Sequence, residues 1–231
     1  MSGDRPLVSV VIPVFNAAQY LPQALESVLA QACPSLQLIV VDDGSEDGAA
    51  DAVAPFLDRV EYVRQPHRGI GAARNAGVER ARGRLIAFLD ADDLFTPHKL
   101  QVQLQHLEAH PDVDLVFGHV EEFISDELDE VERRKLMLRT GPQPGYFAQA
   151  MLIRREAFDR VGPFEEGLRE AEFLDWYARA RDAGLCHALL ADVVFRRRLH
   201  RCNNGRHAGR DRGDLVRVVK AAMDRRRSRG R

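Results

Sequence analysis

The first half of the chain alternates short apolar runs with amphipathic stretches. Residues 7–14, LVSVVIPV, are β-branched and almost wholly apolar. Such a run fits a strand buried on both faces, as in a parallel sheet. Apolar positions then recur at helical spacing through Tyr20, Leu21, Leu25, Val28 and Leu29, with Asn16 as the expected cap and Pro34 beyond the helix end. A second apolar strand, 36–41, closes on Asp42-Asp43-Gly44-Ser45. The same reading gives a helix over 49–57, a strand over 60–63, a loop over 65–69 and a helix over 72–81. A strand over 84–89, a helix over 97–109 and a strand over 113–117 follow.

This order predicts an α/β fold, an open and mostly parallel sheet with helices on both faces. Ligands of such sheets bind at the carboxyl ends of the strands. Those ends are Pro13 to Asn16, Asp42 to Asp47 and Asp90 to Asp93.

The second half is less regular. Residues 121–139 mix both charge signs and read as a helix, a lid or a partly disordered segment, and TGPQPG at 140–145 reads as a loop. A strand and helix are expected over 146–161 and a break at Gly162-Pro163. Beyond them the reading is a helix over 170–183, a strand over 187–195, a loop over 200–209 and a last helix over 214–227.

A length of 231 residues suits one large domain with a short appendage, divided here as 1–210 and a basic helix or tail at 211–231. Net charge is only -2, but from Arg196 to Arg231 there are 14 Lys or Arg against 3 Asp. Such a skew suits a solvated basic helix or a contact with an anionic membrane surface. Basic residues without interleaved aromatics argue against nucleic acid as a partner. Cys33, Cys186 and Cys202 have no metal-type spacing and fit reduced thiols. The first residues lack a signal-peptide core, and no apolar run approaches the roughly 20 residues of a membrane helix. The expected location is cytoplasmic, with room for a place at the inner membrane face.

Five places carry candidate chemistry. Asp90-Ala91-Asp92-Asp93 crowds carboxylates at a strand end, a conflict that Mn2+ or Mg2+ would relieve; an acidic helix cap is the alternative. Asp42-Asp43-Gly44-Ser45 offers carboxylates to a base or ribose, or is a turn and N-cap. Gly69 to Gly77 opens a helix whose amides favour diphosphate, with Arg74 and Asn75 within reach, or packs it closely on the sheet. Glu172 and Asp175 share a helix face and suit a general base, or a charged face with Arg179 as ion partner. His200 ends a basic run and suits a metal site, while the run itself suits phosphates.

In this order the motifs resemble family 2 glycosyltransferases with the GT-A fold: Pro13-Val14-Phe15-Asn16, DDGSED at 42–47, GIGAARNAG at 69–77 and FLDADD at 88–93. Gly162-Pro163-Phe164, the helix with Glu172, Asp175 and Arg179, and His200 with Asn203 and Asn204 complete the set. The resemblance implies an inverting, metal-dependent transfer from a nucleoside-diphosphate sugar, UDP foremost, to the hydroxyl of a carbohydrate, lipid-linked or other acceptor. It places Pro13, Phe15, Asn16, Asp42 and Asp43 at the nucleoside and Asp90, Ala91 and Asp92 at the DxD motif. Asp92, Asp90 and His200 then stand at the metal, and Glu172 or Asp175 acts as base. Phe173 stands where the family often has a second carboxylate. A nucleotidyltransferase would want a glycine-rich, lysine-bearing loop after Val14, which is missing. A nucleotide-binding scaffold without turnover is the non-enzymatic alternative.

Overall fold

A computed structural model describes residues 7–136, 138–168, 171–201 and 212–229. The first four parallel strands are β1 (Val8–Val14), β2 (Leu36–Asp42), β3 (Val60–Arg64) and β4 (Leu85–Phe88). Every residue of β1 and β4 is buried, as continuous apolar runs in a two-sided sheet require. Between the strands lie α1 (Leu21–Leu29), α2 (Ala49–Val53), which continues as a 3-10 turn to Phe56, and α3 (Ile70–Arg80).

The remaining elements are β5 (Leu94–Phe95), α4 (Lys99–Ala109), β6 (Leu115–Ile124), α5 (Glu130–Lys135) and β7 (Gln143–Pro144). After a 3-10 turn at Ala148–Ala150 come β8 (Leu152–Arg154), α6 (Arg155–Val161), α7 (Glu172–Asp182), β9 (His187–Leu199) and α8 (Arg212–Arg229). Strand order is β3-β2-β1-β4-β8-β6-β9-β5, with β7 on β6. The chain walks outward from β1 to β3 and then returns to β4 on the other side of β1. The ends of β2, β1 and β4 therefore sit side by side at the point where the order reverses, where a ligand crevice forms.

β8 runs antiparallel to both β4 and β6. Its entry, not its exit, therefore arrives at the carboxyl edge, carrying the 148–150 turn with it. Pro13 is tolerated in the central strand for a local reason. Leu89 N–H donates to the Val11 carbonyl, so alternation aims Pro13 toward the β4 side, where that ladder has already ended. Gly77 lets α3 lie close on β1, because a Cβ there would come within 2.2 Å of a Val11 methyl.

Three expectations need correction. Asn16 does not cap α1: Tyr20 holds that position, while Asn16 adopts φ 49° in the preceding turn. Ser45 does not cap α2, whose N-cap is Gly48; the Ser45 hydroxyl accepts from Asn16 N–H instead. Residues 121–124 are strand, not helix or lid, because β6 continues to Ile124 beside a β9 that runs on to Leu199. There Glu121 faces Arg196 and Glu122 faces Arg197, so opposite charges meet across the ladder. The expected loop at 200–209 falls largely outside the described residues, as do Cys202, Asn203 and Asn204.

Candidate active site

Two acidic turns stand at neighbouring strand ends. In the first, after β2, Asp42 accepts from Ser45 N–H at 2.7 Å and from the Tyr62 hydroxyl at 2.6 Å. Burial works to raise its pKa, but these hydrogen bonds outweigh it and hold the carboxyl below its usual range. Tyr62 is correspondingly pushed up to about 12 by burial and by Asp42. Asp43 accepts from Gln65 Nε2 and Arg68 N–H through Oδ1 and from Gly69 N–H through Oδ2, which His67 Nδ1 also approaches at 2.8 Å. One carboxylate thus fixes the whole 65–69 loop. Gly44, at φ 84°, supplies the turn that brings it there.

The 13–16 turn is laced to this one. Asn16 Oδ1 accepts from Glu46 N–H, and Asp47 accepts from Ala18 N–H. Phe15 is left 47% exposed and lies stacked on His67, ring centroids 4.1 Å apart. An exposed aromatic ring therefore stands beside Asn16 and the Asp42–Asp43 turn.

The second turn follows β4. Asp90, Asp92 and Asp93 hold ligand oxygens within 4.8 Å of one another. Burial, then the neighbouring carboxylates Asp92 and Asp90, raises the Asp93 pKa well above its usual value. Burial likewise raises Asp90, although Arg74 opposes it. Oxygen ligands crowded at this cost are what a hard divalent cation requires, so the residues fit Mn2+ or Mg2+. His200 Nε2 meets Asp92 Oδ2 at 2.8 Å, which brings the expected histidine to the turn.

A buried arginine joins this turn to α7. Arg74, 2% exposed, bonds Asp90 Oδ1 at 2.8 Å through one nitrogen and Glu172 Oε1 through another. Burial disfavours its charge, yet Asp90 and Glu172 together raise its pKa. Its Nε is buried with no acceptor among the described residues. Glu172 opens α7 and so lies within one guanidinium of the acidic turn. Gln149, at the entry to β8, donates to Asp90 Oδ2.

Other expected residues face elsewhere. Asn75 exchanges two hydrogen bonds with the Phe164 backbone, tying α3 to the segment before α7. Asp175 pairs with Arg179 at 2.8 Å and with Arg225 of α8 at 3.6 Å. The Ala91 methyl packs in the core. Arg198 does not present its charge outward: it is 4% exposed and bonds the Asp92 carbonyl, Ser125 and Gln23.

Sequence reasoning missed the support behind His200. Along one face of β9, Arg196 and Arg198 both lie over Phe123, at 4.6 and 4.7 Å. Arg198 also lies over Tyr20 at 5.0 Å, and the Tyr20 ring lies 4.6 Å from that of His200. The alternation of residues 196, 198 and 200 was the one available signal. For Gln149 and His67 the sequence carried none.

An open α/β sheet with two acidic turns at its switch point is the arrangement of a nucleotide-sugar-transferase fold of the GT-A type. The family profile "Glycosyl transferase family 2" matches residues 9–172, and the chain belongs to that family. It is 30% identical to the glycosyltransferase AglE of Haloferax volcanii, covering 94% of this chain and 71% of that one. It is 27% identical to a glycosyltransferase of Rickettsia prowazekii over 84% of this chain and 64% of the relative. Among solved structures it resembles S. aureus TarS in complex with UDP-GlcNAc, with a TM-score of 0.78 at 19% identity. That match covers 95% of this chain and 66% of the TarS 1–349 fragment, and the match to full TarS covers 39% of it. A mannosyltransferase of Pyrobaculum calidifontis, solved with GDP-Man and Mn2+, matches with a TM-score of 0.73 at 22% identity, over 96% of this chain and 65% of the other. The chain thus spans about two thirds of the length of the two relatives and of the mannosyltransferase, and well under half of TarS. No helix among the described residues is long and apolar enough to cross a membrane.

Proposed function

We propose that this chain is a metal-dependent, inverting glycosyltransferase that moves one sugar from a nucleoside-diphosphate donor to an acceptor hydroxyl. The observation that carries the reading is the Arg74 bridge, which binds the acidic turn at Asp90 and the α7 carboxylate Glu172 into one constellation. The Phe15 ring, with Pro13, Asn16, Asp42 and Asp43, receives the nucleoside, uridine being the base the family resemblance favours. The TarS and mannosyltransferase complexes, with UDP-GlcNAc and with GDP-Man and Mn2+, support a donor of this class.

Asp92 and Asp90 would hold Mn2+ or Mg2+ with His200 beside them, and the ion would neutralise charge on the leaving diphosphate. Arg74 orients Glu172 through Oε1, leaving Oε2 to take the acceptor proton as the hydroxyl attacks the anomeric carbon. Single displacement inverts that carbon, so an α-linked donor gives a β-linked product. Asp175, held by Arg179 and Arg225, is the weaker candidate for base.

Thermal melting with UDP, TDP, GDP and their sugars, with and without manganese, tests the reading. A rise that needs both one nucleotide and the metal supports the donor site and names its base. Absence of any rise in folded protein overturns it. Binding without donor consumption, whatever the acceptor, assigns the chain to a nucleotide-binding scaffold.

A further inference from the structure

α8 is held by one face and bare on another. Val218, 4% exposed, packs with Leu168 and Ala171, the residue just before α7. Arg225 pairs with Asp182 at 3.1 Å and with Asp175 at 3.6 Å. At 100° per residue, Leu215, Val219 and Met223 form one row away from that contact, with Val216 beside it. These four are 49%, 49%, 50% and 64% exposed. A row of large apolar side chains open to water marks a docking face.

The charges beside the row say what it docks on. Lys220 and Arg227 are exposed beside it, with Asp224 the acid among them, while Arg217 lies further round the helix and pairs with Asp214 at 3.5 Å. A second copy of the chain is disfavoured, because a two-fold contact through the same patch would bring these cations together. A nucleic acid would answer the charges and leave the apolar row in water. An anionic bilayer answers both, taking apolar side chains at the acyl boundary and basic ones at the headgroups.

We propose that α8 docks the chain on an anionic lipid surface through Leu215, Val216, Val219 and Met223, with Lys220 and Arg227 on the headgroups. The contact is peripheral and reversible. It also bears directly on α7, since the docked helix is the one ion-paired to Asp175 and Asp182. The proposal does not depend on the transfer chemistry.

Co-sedimentation of the full chain with vesicles tests it. Phosphatidylcholine vesicles containing phosphatidylglycerol should retain the chain and pure phosphatidylcholine should not, with the difference falling as salt rises. Lys220→Gln and Arg227→Gln should each weaken binding about fivefold. Val219→Asp with Met223→Asp should abolish it while thermal melting is unchanged, because both sites are exposed. Equal retention on both vesicle types, or full retention of the double aspartate variant, overturns the proposal. So does a dimer that this variant dissolves without any vesicle binding, which would give the face to a second copy. Capture by duplex DNA in place of vesicles overturns it as well.

Discussion

The two acidic turns look alike in the sequence, DDGS after β2 and DADD after β4, yet the fold treats them in opposite ways. In the first, protein donors surround the carboxylates: Ser45, Tyr62, Gln65, His67, Arg68 and Gly69. In the second, Arg74, Gln149, His200 and Arg198 N–H also reach the carboxylates, yet three carboxylates crowd together and burial pushes Asp90 and Asp93 toward their protonated forms. The first turn satisfies its carboxylates one by one; the second sets them against one another. Acidic residues at a strand end are therefore not one signal but two, and the neighbouring carboxylates tell them apart.

Substitutions should separate the turns sharply. Asp92→Asn is expected to lower sugar transfer by at least about 100-fold with the melting temperature unchanged, and Glu172→Gln to lower transfer likewise while also lowering the melting temperature, because buried Arg74 loses a carboxylate partner. Donor-consumption assays and thermal melting check both, and full activity of either variant would remove that residue from the site. In the first turn Asp43→Ala should act on folding, costing about 3 kcal/mol in urea denaturation because several donors lose one buried acceptor. A variant with wild-type stability would mean that the 65–69 loop does not need Asp43.

Acid should also distinguish them. The Asp42 pKa is lowered, so its contribution to stability is present above its unfolded value of 3.8 and is lost as pH falls through the folded value. Asp90 and Asp93 have raised values, so in the unliganded protein their protonation favours the fold as pH falls toward 3.8. Protons then compete with the cation, and the melting rise produced by manganese should shrink as pH is lowered. A manganese effect constant from pH 8 down to about 5 would contradict the carboxylate site. The smallest expected effect is that of Tyr20→Leu, which removes the ring behind His200. It should weaken manganese binding a few-fold, less than the 10–100-fold typical of hydrogen-bonded outer partners. Titration of the manganese melting shift would measure it.

Much of the first half was legible because its strands are buried on both faces and write themselves as apolar runs. The second half hid its strands in each other. Residues 121–124 read as part of a charged helix, lid or disordered segment and 196–199 as a basic run beyond the strand, and each reading is reasonable in isolation. Only their register, Glu121 on Arg196 and Phe123 on Arg198, turns both into strand. The Asp92–His200 meeting was foreseen from motif order, and its distance came only with the fold. The acidic turn was legible, whereas Gln149 was not, since a glutamine in a 3-10 turn has no periodicity or spacing to announce it.

The reversed direction of β8 has a consequence for how the protein could be altered. Because β8 enters at the carboxyl edge, the 143–150 segment reaches Asp90 without carrying any of the β1–β4 turns. Most of it is fixed, since Ala148 and Ala150 are buried and Gly145 lies against the Gly118 backbone. Changing Gln149 is thus a way to alter the surroundings of Asp90 without touching the turns after β1 and β2.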